Sequence, residues 1–473
     1  MTAGSLTRLV GAVRDSPRLR MILVLAAVLA LDGADKGTVA ATASDLQRSF
    51  HIDNTRIGLL SAATTLVGAL TTLPIGALTD RVCRTRLLAG SIALWSVAMV
   101  FGALAPSYGW LLVSRLALGA VSATAGPTVA SLTGDLFPAG QRARIYGFIL
   151  VGEFAGTGLG FAVSGALGGL VGWRAAFAWL VLPGLALAAI VWRLDEPARG
   201  RAGRVQTKRR GAAGAVAAHG VEPYPEQVLH TDPQRAGLWW AVRYVLRVRT
   251  NLVVIAASAL TYFYFAGVRT FVVLFAQHHY GIGSAAASAL LLVIAVGAVA
   301  GAFFGGRFTD NLLARGVLTA RILVPAVLLF VLPVLLGAGF ALHTLWLSVP
   351  LLGAGSVLLG AGSPAQDAAR LDIIHPHLWG RSEAVRTTLR LLCEAAAPLA
   401  FGLVADHLFG SHVSVGDAAT NTYTAGQGHG LAPTFLLFLV LLPVAGGVAA
   451  IGLRTYPRDV ATAAASLANT SAA

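Results

Sequence analysis

Long, nearly uncharged apolar blocks set the first limit on what this chain can become. Each runs for about 20 residues, the length an α-helix needs to cross a hydrocarbon core of roughly 30 Å. Six blocks lie near residues 21–41, 57–78, 87–105, 110–133, 145–168 and 175–193, and six more near 251–276, 284–308, 318–340, 345–366, 384–406 and 432–453. A bilayer core offers no water, so a spanning backbone must bond its own N–H and C=O groups, as only helices and closed barrels do. A barrel would show short segments of alternating polarity. The blocks therefore predict an all-α membrane protein with twelve transmembrane helices. Composition agrees: of 473 residues, 56% are hydrophobic and 12% charged, where a soluble domain carries about 25% charged residues. Ordinary soluble enzymes, nucleic-acid modules and disulfide scaffolds are excluded.

A net charge of +14 would suggest nucleic acid in a soluble protein. Here the arginines gather in alternate loops. Arg81, Arg84, Arg86, Arg142, Arg144, Arg307, Arg315 and Arg381 fall on one side, while the opposite loops hold few, such as Arg48, Arg56 and Arg174. The positive-inside rule then places both termini in the cytoplasm. The arginine-rich, Ala- and Gly-rich composition points to a bacterial cytoplasmic membrane. Arg8, Arg14, Arg18 and Arg20 precede the first apolar run, which continues past Asp32 with no clear cleavage signature, so a retained first helix is expected rather than a signal peptide. Cys83 and Cys393 are far apart and predict no disulfide.

The domain reading is a six-helix bundle over 1–194, a cytoplasmic linker over 195–249, a second six-helix bundle over 250–454 and a cytoplasmic tail over 455–473. The linker carries the basic run Lys208-Arg209-Arg210 and many Gly and Ala, and reads as flexible. Its end, residues 238–247, alternates Trp, Arg and aliphatic residues at helical spacing and predicts an interfacial amphipathic helix.

Ionisable side chains inside a membrane cost roughly 2.5–3.5 kcal/mol each on insertion scales, so each needs a partner or a task. Asp32, Asp35 and Lys36 share one face of the first helix. Arg115 in the fourth lies at similar depth, and Glu153 sits near the middle of the fifth. These five are the expected proton-coupling group. Arg386, Arg390 and Glu394 form one stripe in helix 11; either a local Arg390–Glu394 pair or an anion-binding role for Arg390 fits that spacing. Arg269, Arg390 and Glu394 are candidate substrate-binding residues, since a guanidinium suits a phosphate; Tyr262 and Tyr264 either line the same site or serve packing and lipid contact. His278, His279, His375 and His377 lack a carboxylate or cysteine to complete a metal set, and no P-loop is present. Neither metal, cofactor nor enzymatic activity is expected.

The two halves echo each other. Gly76-Ala-Leu-Thr-Asp80-Arg81-Val-Cys-Arg84-Thr-Arg86 in loop 2–3 matches Gly306-Arg-Phe-Thr-Asp310-Asn in loop 8–9, and Asp135-Leu-Phe-Pro138 in loop 4–5 matches Asp372-Ile-Ile-His-Pro376 in loop 10–11. Such repeats typify secondary transporters. The Gly76–Arg86 segment, Arg115-Leu-Ala-Leu-Gly119 in helix 4 and Gly172-Trp173-Arg174 before helix 6 resemble the signatures of the major facilitator superfamily. Within it, Asp135 to Arg144, Gly156-Thr-Gly158-Leu-Gly160, Glu196-Pro197-Ala-Arg199-Gly200, and Pro398 with Gly402 and Asp406 resemble the Spinster group of lysolipid and sphingolipid transporters. The chain departs from that group at Asp35-Lys36, where Asp-Arg is usual, and at Ser122, where a Glu is usual. It also lacks the Gly-Pro signature of drug–proton antiporters in helix 5.

The resemblance implies alternating access around a central cavity and proton-coupled transport of a lysophospholipid or related amphipathic lipid. The expected partners are that substrate, protons and membrane lipids, with the protein a monomer. Asp35 or Glu153 would carry the proton with Arg115 as partner, and Arg269 or Arg390 would hold the headgroup. Asp80, Arg81, Arg84, Asp310, Asp367 and Arg370 would serve gating. The alternatives are an efflux pump for hydrophobic drugs or small metabolites, and a non-transporting membrane receptor or scaffold.

Overall fold

A computed structural model describes residues 17–79, 82–136, 139–196, 212–233, 236–409 and 430–472. Among these residues the secondary structure is helical and no strand occurs. The chain runs α1 (Pro17–Ala41), α2 (Ala43–Phe50), α3 (Asn54–Thr79), α4 (Arg84–Ala103), α5 (Tyr108–Ser122), α6 (Ala125–Leu136), α7 (Ala139–Leu170), α8 (Trp173–Ala178) and α9 (Val181–Trp192). It continues with α10 (Ala212–Ala218), α11 (Leu238–Arg247), α12 (Arg249–Tyr280), α13 (Ser284–Ala314), α14 (Ala320–Ala341), α15 (Leu345–Ile373), α16 (Trp379–Leu403), α17 (Leu431–Phe438) and α18 (Leu441–Ala472). Local chemistry sets several ends. Ser107 caps α5 by accepting a hydrogen bond from the Trp110 amide at 3.3 Å. Gly281, at φ +65°, closes α12 in the left-handed conformation a side chain would resist.

Among the described residues, nine helical stretches are long and apolar enough to cross a membrane, against the twelve expected. For one of the three missing stretches, α1, the cause is physical. Its 25 residues suffice in length, but Asp32, Asp35 and Lys36, with Arg18 and Arg20, leave no 18-residue stretch with fewer than three charges. A helix built around ion pairs hides from an apolar measure.

The chain divides into two compact units, Met1–Phe50 with Val67–Gln206, and His51–Leu66 with Thr207–Ala473. The boundary therefore passes through α3 and not only through the linker. The first turns of α3 belong with the second unit because two glycines let α3 lie against α16. A Cβ on Gly58 would stand 2.2 Å from the Pro398 carbonyl oxygen, and one on Gly402 would stand 2.6 Å from that of Asn54.

In the first unit, α1 and α7 touch backbone to backbone. Gly152, Gly156 and Gly160 of α7 recur every fourth residue and face Ala26, Ala30 and Ala34 of α1, where an added Cβ would meet the alanine carbonyl oxygens at 2.4, 2.0 and 2.3 Å. Gly33 and Gly37 answer from α1, facing Glu153, Thr157 and Phe161. Between helices in lipid, where tails are as apolar as Leu, such small residues gain van der Waals contact by letting axes approach. The second unit repeats the device: Gly297, Gly301 and Gly305 of α13 pack on α15 beside Ser356, Val357 and Ala361.

The stretch expected to be a flexible linker carries order from Ala212 onward. After α10, a 3-10 turn spans Pro225–Gln227. The Tyr224 amide donates to Thr462 Oγ1 at 2.9 Å, and the Leu229 amide to Ser466 Oγ at 2.9 Å. The Arg458 guanidinium lies 4.1 Å over the Tyr224 ring. Residues 455–472, expected as a tail, are the last turns of α18 and provide this docking face. The basic run Lys208-Arg209-Arg210 lies outside the described residues.

Gly156→Ala is expected to destabilise the fold by about 1–3 kcal/mol through backbone overpacking. Gly90→Ala, with open space around its Cβ position in α4, should be neutral or slightly stabilising. Thermal unfolding of the two variants in detergent checks the contrast.

Candidate functional site

In the first unit the charged face of α1 resolves into a pair and a separate three-residue bridge. Asp35 Oδ1 accepts from Arg115 Nη1 of α5 at 2.8 Å, and both side chains are buried. The guanidinium also lies 4.6 Å over the Phe177 ring. One residue further along α1, Lys36 Nζ bridges Asp32 Oδ2 at 2.7 Å and Glu153 Oε1 at 3.1 Å. The contact of Gly33 with the Glu153 backbone brings α7 close enough for this bridge. Exposure separates the two groups: Lys36, Asp32 and Glu153 side chains are 38, 25 and 32% exposed, Arg115 and Asp35 only 3 and 8%. The Asp35–Arg115 pair is sealed, while the Lys36 group, in which one ammonium contacts two carboxylates, is partly exposed.

In the second unit, Arg269 Nη2 of α12 donates to Glu394 Oε1 of α16 at 2.7 Å. Glu394 thus reaches across to the neighbouring helix. The Arg390 guanidinium stacks 4.2 Å over Tyr262. Arg386 turns to Glu383. Tyr262 is partly exposed, but Tyr264 is fully buried against Phe265 and Phe401. The structure brings Arg269, Glu394, Arg390 and Tyr262 to the facing sides of α12 and α16 and leaves Tyr264 in the core.

Of the expected gating residues, Asp80 and Arg81 lie outside the described residues, as do the side chains of Asp135, Arg142 and Arg144. Arg84 is almost wholly buried. Its Nε donates to Glu196 Oε1 at 2.7 Å and its Nη1 to Ser131 Oγ at 2.8 Å, while the Thr85 amide donates to Glu196 Oε2 at 2.9 Å. Glu196 thereby caps the start of α4 from the far end of the same unit, favourable for a carboxylate at a helix N-terminus. Partial burial pushes the Glu196 carboxyl up, but the Arg84 and Thr85 hydrogen bonds and the guanidinium charge outweigh it and hold it below the usual carboxylate range. Arg370 pairs with both Asp367 and Glu383. Asp310 lies 3.4 Å from Arg321, whose other contact is Asp372, itself bonded by the Tyr456 hydroxyl at 2.6 Å.

Sequence reasoning assigned no contact to Glu383, Arg321, Asp372, Glu196 or Asp406. The last three stood inside the quoted motifs; Glu383 and Arg321 carry no motif signal. Asp406 lies in a π-helical turn, Val404–Leu408, and accepts from Asn54 Nδ2 at 2.7 Å, the Thr55 amide at 2.7 Å and Thr55 Oγ1 at 2.6 Å. It is the cap of α3, supplied from another helix.

The described helices, the charge-bearing α1 and the internally repeated packing fit one family. A model described as Major Facilitator Superfamily matches residues 25–398. The chain belongs to that superfamily. As a member of the Major Facilitator Superfamily it resembles a bacterial homolog of the human lysosomal transporter Spinster in fold, with a TM-score of 0.76 at 20% identity over 94% of this chain and 98% of that one. Among curated relatives, a probable sugar efflux transporter of Helicobacter pylori is 26% identical over 62% of this chain and 66% of its own length. Protein spinster homolog 1 of Rattus norvegicus is 32% identical over 41% of this chain and 38% of its own. The matched stretches thus span less than two thirds of these relatives.

Glu196→Gln should cost about 2 kcal/mol or more, because it weakens the bond to a buried arginine. The sign with pH follows from the lowered carboxyl. Its contribution is complete above the ordinary glutamate range, shrinks as pH falls through that range and vanishes below the folded-state value. Thermal unfolding across an acid series should show wild type and Glu196→Gln converging as pH falls; parallel curves would sink this assignment.

Proposed function

We propose that this superfamily member is a Spinster-type secondary transporter that moves a lysophospholipid or related amphipathic lipid by alternating access, coupled to protons. The observation that carries the reading is the Lys36 bridge, in which two partly exposed carboxylates, Asp32 and Glu153, compete for one ammonium. Such a group changes net charge by one when a carboxylate takes a proton, which is what coupling requires. Glu153 is the proposed proton carrier, with Asp32 and Lys36 as its partners. The Asp35–Arg115 pair is a sealed brace that holds α1 against α5. Arg269 and Arg390 are the proposed headgroup ligands, because a guanidinium can bind phosphate with two parallel hydrogen bonds, and Tyr262 supplies an apolar wall. Arg84, Asp310, Asp367 and Arg370, with Asp80 and Arg81, are proposed to act at the cytoplasmic gate. The arginine distribution supports both termini lying in the cytoplasm of a bacterial cell.

A second reading is efflux of a small metabolite such as a sugar. It is favoured by the match to a probable sugar efflux transporter, which covers more of this chain than the spinster relative does.

Uptake of labelled lysophospholipid and of labelled sugars into proteoliposomes, with and without an imposed pH gradient, separates these readings. Lysolipid flux in wild type, stimulated by the gradient, is expected to lose that stimulation in Glu153→Gln while exchange at equal pH persists. Arg390→Gln should raise the lysolipid KM more than it lowers the maximal rate. Sugar flux without lysolipid flux would replace the lipid reading by the second one.

A further inference from the structure

Helix α11, between the linker and α12, presents two unlike faces. Ala241 and Val245 are fully buried on one, and the Tyr244 hydroxyl donates to the Gln227 carbonyl at 3.2 Å. The chain entering the helix is pinned by Arg381, which donates to the carbonyl oxygens of Ala236 at 2.8 Å and Pro233 at 3.4 Å. The opposite face carries Trp239, Val242, Arg243, Leu246 and Arg247 around a shallow groove. Their spacing of three, four, seven and eight residues places them on one stripe.

That stripe is built from side chains that ordinary solvent-facing helices avoid. Trp239 is 82% exposed, and Trp240 beside it stacks on Tyr244 with ring centres 5.4 Å apart. Arg243 and Arg247 are exposed on consecutive turns, and among the described residues neither has an ion-pair or hydrogen-bond partner. Arg249 follows at the start of α12 and lies 5.4 Å over the Tyr224 ring. An indole suits the headgroup level of a bilayer, Val242 and Leu246 suit the acyl boundary, and two neighbouring guanidiniums suit one phosphate. Because α11 leads directly through Val248 into a membrane-crossing helix, the groove lies at the membrane surface.

The geometry points to a binding site for one acidic phospholipid on α11, with its phosphate between Arg243 and Arg247 and its glycerol and upper chains along Trp239, Val242 and Leu246. Charge complementarity selects the occupant. Two unpaired cations attract an anionic headgroup, whereas a zwitterionic lipid brings its own ammonium to the same place. The site is separate from the Arg269, Arg390 and Glu394 group and requires no assumption about what the protein transports.

Native mass spectrometry of the detergent-purified full chain, titrated with phosphatidylglycerol or phosphatidylcholine, tests the assignment. Wild type is expected to retain one phosphatidylglycerol more tightly than any phosphatidylcholine. At about 1 kcal/mol per basic residue near an anionic surface, Arg247→Gln should weaken that event roughly fivefold and the double variant R243Q/R247Q roughly 30-fold. R243K/R247K, which keeps both charges, should retain most of the affinity, and so reports on the site even if the neutral variant folds poorly. Equal phosphatidylglycerol affinity in wild type and the neutral double variant would overturn the proposal. So would equal retention of phosphatidylcholine, or displacement of the lipid by millimolar glycerol phosphate, which would assign the groove to a soluble phosphate. A wild-type dimer lost in the neutral variant would assign the face to a second copy instead.

Discussion

Charge without water must find charge or a helix end, and this requirement orders much of the molecule. Inside the membrane-crossing helices the carboxylates meet cations at hydrogen-bond distance: Asp35 with Arg115, Asp32 and Glu153 with Lys36, Glu394 with Arg269. Removing one partner of such a pair leaves an ion whose desolvation costs several kcal/mol. Near the helix ends a second solution recurs. Glu196, Asp406 and Asp459 each accept the backbone amide of a threonine at the start of another helix, Thr85, Thr55 and Thr250, at 2.9, 2.7 and 2.9 Å. The unpaired amides and the positive end of the helix dipole make that position the natural seat for an anion.

These pairings depend on how closely the helices approach, and glycine sets the approach. The Lys36–Glu153 bridge exists because Gly33 lets the α7 backbone stand where a side chain would otherwise be. Asp406 reaches Thr55 because Gly58 and Gly402 remove the Cβ atoms from the α3–α16 contact. Gly267 does the same for Phe401, whose ring occupies the place of its missing side chain. A helix interior glycine lowers intrinsic helix stability by about 1 kcal/mol relative to alanine, so its repetition in these helices reflects what the packing returns.

Helix class was legible because apolar blocks of bilayer length admit few other readings, and the candidate charges were legible because each is costly where it stands. Their partners were harder to read. Arg390 and Glu394 look like a pair from spacing alone, since they sit one turn apart. Glu394 also reaches Arg269, 125 positions away in the chain, a contact made by the α12–α16 approach that no single helix encodes. Lys36 was visible as a charge beside Asp35, yet the adjoining residues point to different neighbours, one sealed beneath Phe177 and one open. The first turns of α3 grouped with the second unit for the same reason: the contact is written in two glycines and a proline on separate helices. Tyr264 illustrates the converse, an aromatic whose placement among other rings follows from core packing and not from its polar end.

The docking of residues 224–229 onto Thr462 and Ser466 joins segments more than two hundred positions apart. Ribosomes make the first segment more than two hundred residues before its receptor. While α12 through α17 enter the membrane, the connecting segment has no docking face, and its amides stay solvated until the final turns of α18 emerge. The connecting segment therefore docks only after α12 through α17 have been made. A chain cut just before Thr462 would keep the preceding membrane-crossing segments while withholding the surface on which the connecting segment comes to rest.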